Sequence, residues 1–136
     1  MKIDHIGIAV RSIEQSLAFY RDVLGVEPSH RSVVAHELVE VAMLPAGEPR
    51  LELLQPTSED SVIGRFLDRR GEGIHHIAVK VDDLEAAVAK IRASGRRLVS
   101  DDIQIGAEDY RYVFVHPKDT NGVLLELIEA LPANVE

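Results

Sequence analysis

With 136 residues, 46% of them hydrophobic and 28% charged, the chain has the size and composition of one globular domain that buries its own core. A net charge of −8 argues against a general nucleic-acid surface, which needs clustered Lys and Arg, and the absence of cysteine rules out disulfides and thiolate metal sites. No apolar run nears the roughly 20 residues of a membrane span, and "MKIDHIGIAV" lacks a signal-cleavage pattern, so a cytoplasmic protein is expected.

Residues 3–10 alternate β-branched residues and predict a strand. "SIEQSLAFYRDVLG" then sets Ile13, Leu17, Tyr20 and Leu24 at helical spacing, with Ser12 as N-cap and Gly25 as stop. Strands follow over 37–44 and 50–55, joined by a turn at Gly47–Glu48, while 31–36 carries no clear signal. Residues 56–73 form a connection containing the short helical pattern "SVIGRFLDRR". The pattern then restarts. A strand over 74–81 leads to the helix "DLEAAVAKIRASG", capped by Asp83 and stopped by Gly95. Strands over 111–116 and 123–129 close the chain, with a turn at Asn121–Gly122 and an unclear stretch at 96–105.

The restart is an internal duplication. His5 falls on His76, Ile6 on Ile77, Val10 on Val81, Ile13 on Leu84 and Glu14 on Glu85 at an offset of 71. Pro45 falls on Pro117 at an offset of 72, and "LELL" at 51–54 on "LELI" at 125–128 at 74, a drift that small loop insertions produce. The expected organisation is a single α+β domain of two repeats. The first module spans 1–56, the connection 57–72 and the second module 73–130.

In the strand 3–10, Ile6, Ile8 and Val10 share one face and His5, Gly7 and Ala9 the other. In 74–81, Ile77, Val79 and Val81 oppose His76, Ala78 and Lys80. The large aliphatics are expected under the helices, with the histidines on the opposite face beside small residues. Glu52 and Glu126 hold matched places inside leucine runs, where an ionised carboxylate is costly unless paired or bound to a metal. A lone strand histidine has many uses, and a lone glutamate between leucines is most often the outward residue of an alternating strand. Their joint repetition is what stands out. Two imidazoles and two carboxylates suit a divalent ion.

The motifs "DHIGIAV" at 4–10, "LELLQP" at 51–56, "GIHHIAVKVDD" at 73–83 and "HPKDTNGVLLELIEA" at 116–130 resemble the vicinal oxygen chelate, or glyoxalase-like, superfamily across nearly the whole chain. Within it, "HPK" followed by "GVLLEL" is similar to the methylmalonyl-CoA epimerases. The resemblance implies two paired βαβββ modules forming a curled sheet around a metal cleft, with His5, Glu52, His76 and Glu126 as ligands. Many relatives carry glutamine where Glu52 stands. The resemblance further implies Co²⁺ as the ion, with Mn²⁺, Ni²⁺ or Zn²⁺ as substitutes, and an enolate formed from an acyl-CoA substrate. Catalytic acid/base roles fall to Glu40 and Glu126, with Tyr112 at the place in the second repeat that Glu40 holds in the first. Taken alone, Glu40 reads as a solvent-facing strand residue. Arg50, Arg65, Arg69, Arg70, Arg111 and Lys118 are cations available to CoA. A homodimer is expected. A lactoylglutathione lyase and a non-enzymatic small-molecule-binding protein of the same fold are the alternatives, and ethylmalonyl-CoA stays open as a substrate.

Overall fold

The computed structural model describes residues 1–106 and 110–130. The chain forms two compact units, His5–His75 and His76–Glu136 with Met1–Asp4. The first module runs β1 (Lys2–Ala9), α1 (Ile13–Tyr20), β2 (His30–Val34), β3 (Val39–Pro45) and β4 (Arg50–Pro56). After α2 (Val62–Arg70), the second repeats it as β5 (Gly73–Lys80), α3 (Leu84–Ala93), β6 (Gln104–Ile105), β7 (Tyr110–Val115) and β8 (Leu125–Ala130). The class is α+β, and each module is βαβββ, as expected. Among the described residues no helix is long and apolar enough to cross a membrane.

The helix starts follow from their caps. Ser12 Oγ accepts from the Gln15 amide, Asp83 from the Ala86 amide and Ser61 from the Gly64 amide, each meeting one of the first free N–H groups of its helix. α1 ends at Tyr20, earlier than the apolar spacing suggested, and the chain passes through turns to Gly25 at φ 74°. Leu24, the last residue of that spacing, is exposed, so nothing packs there to hold a further helical turn. The two weakly signalled stretches hold β2, whose residues are at most half-buried, and the two-residue β6.

In the first module β1 pairs in parallel with β4, and β4, β3 and β2 follow antiparallel. One face packs on α1, where Val10, Ala42, Leu44 and Leu53 meet Ile13 and Leu17, with Ile8 against them. The other face packs on α2, where Ala9, Val39, Val41 and Leu54 meet Ile63 and Leu67. The second module repeats the pairing, β5 parallel to β8 and then β7 and β6 antiparallel. There Val79, Val113, Val115 and Leu127 pack on Leu84 and Val88 of α3, with Ile77 and Val81 alongside. Of the expected aliphatic faces, Ile8, Val10, Ile77, Val79 and Val81 therefore lie under the helices, while Ile6 is half-buried outside these clusters.

An arginine ties helix to sheet in each module. Arg31 of β2 donates to Glu14 of α1 and, at 2.9 Å, to Glu40 of β3. Arg111 of β7 donates to Glu85 of α3 at 3.2 Å and to Glu129 of β8. Donating hydrogen bonds to the two carboxylates, Glu14 first and Glu40 next, raises the pKa of Arg31; Glu129 and then Glu85 do the same for Arg111. The bond from Arg31 lowers the pKa of Glu14.

Candidate active site

Parallel pairing builds the same constellation once in each module. Gly7 lies beside Glu52 in the β1–β4 register, and Ala78 lies beside Glu126 in the β5–β8 register. The histidine two residues earlier shares the face of that small residue, so His5 leans towards Glu52 and His76 towards Glu126. His5 Nε2 stands 3.5 Å from Glu52 Oε1, and His76 Nε2 stands 3.4 Å from Glu126 Oε1. His5, His76 and Glu126 are buried, with exposures of 7%, 6% and 9%.

These separations fit a shared ion in each pair. Two ligand atoms each about 2.1 Å from one cation, at angles between octahedral and tetrahedral, stand roughly 3.0–3.5 Å apart. Imidazole nitrogen with carboxylate oxygen is also a donor set suited to divalent transition metals. Burying a carboxylate beside an imidazole costs less when a cation is shared between them.

Glu40 does not join this constellation. In the β3–β4 register Met43 lies opposite Glu52, Val41 opposite Leu54 and Glu40 opposite Gln55. Side chains alternate along a strand, so Glu40 falls with Ala42 and Leu44 on the α1 face and Glu52 on the other. The contacts agree, because Gln55 Oε1 accepts from the Ile13 amide of α1 at 2.8 Å and Glu40 is held by Arg31. Strand phase therefore sets Glu40 on the face opposite the His5–Glu52 pair. Tyr112 moves as well. Phe114 lies opposite Glu126 as Met43 lies opposite Glu52, so counting back three residues puts Arg111 at the place of Glu40, and Tyr112 at that of Val41. Arg111, one of the cations available in the sequence, is engaged on the α3 side.

Two further residues belong to the histidine faces. Phe114, cross-strand from Glu126, meets the His76 ring edge-on with centroids 5.8 Å apart and an interplanar angle of 88°. Tyr112 packs edge-on against Phe114 at 5.7 Å. The alternation "YVF" in β7, with both aromatics on the phase of Glu126, is the sequence signal that reveals this pair.

Residues 4–114 match the Glyoxalase/Bleomycin resistance protein/Dioxygenase superfamily. The mitochondrial methylmalonyl-CoA epimerase of Homo sapiens is 37% identical over 95% of this chain and 74% of its own length. An ethylmalonyl-CoA/methylmalonyl-CoA epimerase of Cereibacter sphaeroides is 37% identical over 93% of this chain and 96% of its own. Among solved structures, a Streptomyces coelicolor methylmalonyl-CoA epimerase variant in complex with 2-nitronate-propionyl-CoA superposes with a TM-score of 0.89 at 40% identity, covering 97% of this chain and 99% of that one. The chain belongs to the Glyoxalase/Bleomycin resistance protein/Dioxygenase superfamily and, within it, to the family of the methylmalonyl-CoA epimerases.

Proposed function

We propose that this chain is an isomerase that interconverts (R)- and (S)-methylmalonyl-CoA, with His5, Glu52, His76 and Glu126 together holding one divalent ion. The observation that carries the reading is the same His–Glu pair, each with a buried histidine, built once in each module at 3.5 Å and 3.4 Å. The relatives support the substrate class: all three are named as epimerases of methylmalonyl-CoA, one of them of ethylmalonyl-CoA as well, and the solved structure holds 2-nitronate-propionyl-CoA. On this reading the chain works as a single domain, in a homodimer. Co²⁺ is the first choice of ion, and Mn²⁺, Ni²⁺ or Zn²⁺ would suit the same donors.

The reaction moves one proton. The C2–H bond breaks, its electron pair delocalises into the thioester carbonyl, and a proton returns to the opposite side of C2. Bound divalent metal supplies a Lewis acid for the negative charge that develops on oxygen. Glu126 accepts or returns the proton on one side. Inversion needs a second acid/base group on the other. With Glu40 on the α1 face, Glu52 is the carboxylate that the first module's paired strands offer on the histidine face, and we assign the second role to it.

The test is deuterium incorporation at C2 from D₂O, followed by NMR with each epimer of methylmalonyl-CoA in turn. Exchange and inversion that vanish on chelation and return with Co²⁺ are the expected result. Turnover of a glutathione hemithioacetal instead would reassign the chain as a lyase. Ligand binding with no turnover of either would leave a binding protein.

A further inference from the structure

The two His–Glu pairs differ in what stands behind them. Opposite Glu52 in the antiparallel register is Met43, an unbranched thioether with three rotatable bonds. Opposite Glu126 is Phe114, whose ring lies edge-on to His76 at 5.8 Å and 88° and is itself met edge-on by Tyr112 at 5.7 Å and 77°. Edge-to-face rings within this distance range attract one another beyond the area they bury. A His76 ring rotated about its Cβ–Cγ bond would lose that geometry, and its Nε2 would swing away from Glu126. Side chains behind a metal ligand commonly fix its orientation and through it the metal affinity.

We infer that Phe114 is a positioning residue: it locks the His76 imidazole in the plane that aims Nε2 at Glu126 and so preorganises the second module's pair for metal. This inference rests on the metal reading given above.

The test is Co²⁺ titration of the whole chain, read by calorimetry and by the visible absorption of the bound ion, with thermal melting alongside. Phe114→Leu keeps apolar bulk and removes the ring; we expect its Co²⁺ affinity to fall by about 10- to 100-fold, with an altered absorption band, as for other residues behind metal ligands. Phe114→Tyr keeps the ring edge and should stay within about threefold of the parent, and Met43→Leu should do the same. Parent-like affinity in Phe114→Leu would overturn the inference, and so would an equal loss in Met43→Leu, which would make the effect one of packing. The metal reading fails separately: it falls if His76→Ala binds Co²⁺ as the parent does, whatever the Phe114 variants do.

Discussion

Replacing Glu40 by Gln separates two accounts of one residue by a wide margin. Glu40 lies on the α1 face of its sheet, where Arg31 donates to it at 2.9 Å and also binds Glu14. The Arg31 and Glu40 side chains keep 37% and 26% of their exposure, so water screens the pair. Exposed pairs of this kind contribute about 0.2–1 kcal/mol. Arg31 also keeps Glu14, so the loss belongs in the lower part of that range, and a melting shift of no more than about 4 °C is expected. The rate of C2 exchange should stay within about threefold of the parent, against the roughly 10²–10⁴-fold loss that removal of a general base brings. Exchange at C2, bound Co²⁺ and melting temperature measured on the same preparation decide the matter. A fall of two orders of magnitude in exchange, with metal content and melting unchanged, would refute the strand-phase argument and return Glu40 to the chemistry.

The remaining predictions concern stability. Leu53 has no exposed surface and packs between α1 and β3; Leu53→Ala should cost about 2–5 kcal/mol in urea unfolding as a core cavity. Asp119 receives a side-chain and a backbone hydrogen bond from Arg97, and these hold its pKa at about 2 against the usual 3.8. A folded pKa below the unfolded one gives stability that is complete above the unfolded value and is lost as pH falls from about 4 towards about 2. Asp119→Asn should therefore unfold more readily than the parent at neutral pH, with the difference shrinking in that acid window; a difference that stays constant across it would contradict the pairing.

The repeat, the helix caps and the aliphatic faces were legible because each rests on local chemistry. Ser12 and Asp83 cap where they stand, and Ile8 and Val79 alternate cleanly against their helices. The edge strand β2 was not, since "HRSVV" buries too little to show a period. The strand phase of Glu40 was hidden for a different reason. The sheet around β3 is covered on both faces, by α1 and by α2, so Val39 and Val41 are buried on one side and Ala42 and Leu44 on the other. Polarity then fails to reveal the phase of "VEVAMLP". The hairpin could have supplied it. A turn closed by the Ala46 amide on the Pro49 carbonyl pairs Pro45 with Arg50, and counting outward sets Met43, not Glu40, on the phase of Glu52. The arginine clips lay beyond any sequence reading, because Arg31 meets Glu14 and Arg111 meets Glu85 only once helix and sheet have packed.

The central claim is that two histidine–glutamate pairs, one from each module, serve a single ion and a single reaction. Its most direct test is the stoichiometry of Co²⁺ bound by chelator-stripped protein, measured in parallel with deuterium exchange at C2 of methylmalonyl-CoA. One ion per chain is expected, with His5→Ala and His76→Ala each abolishing both the bound ion and the exchange. Two ions per chain, each lost with only one of the histidines, or full exchange in the stripped protein, would contradict it.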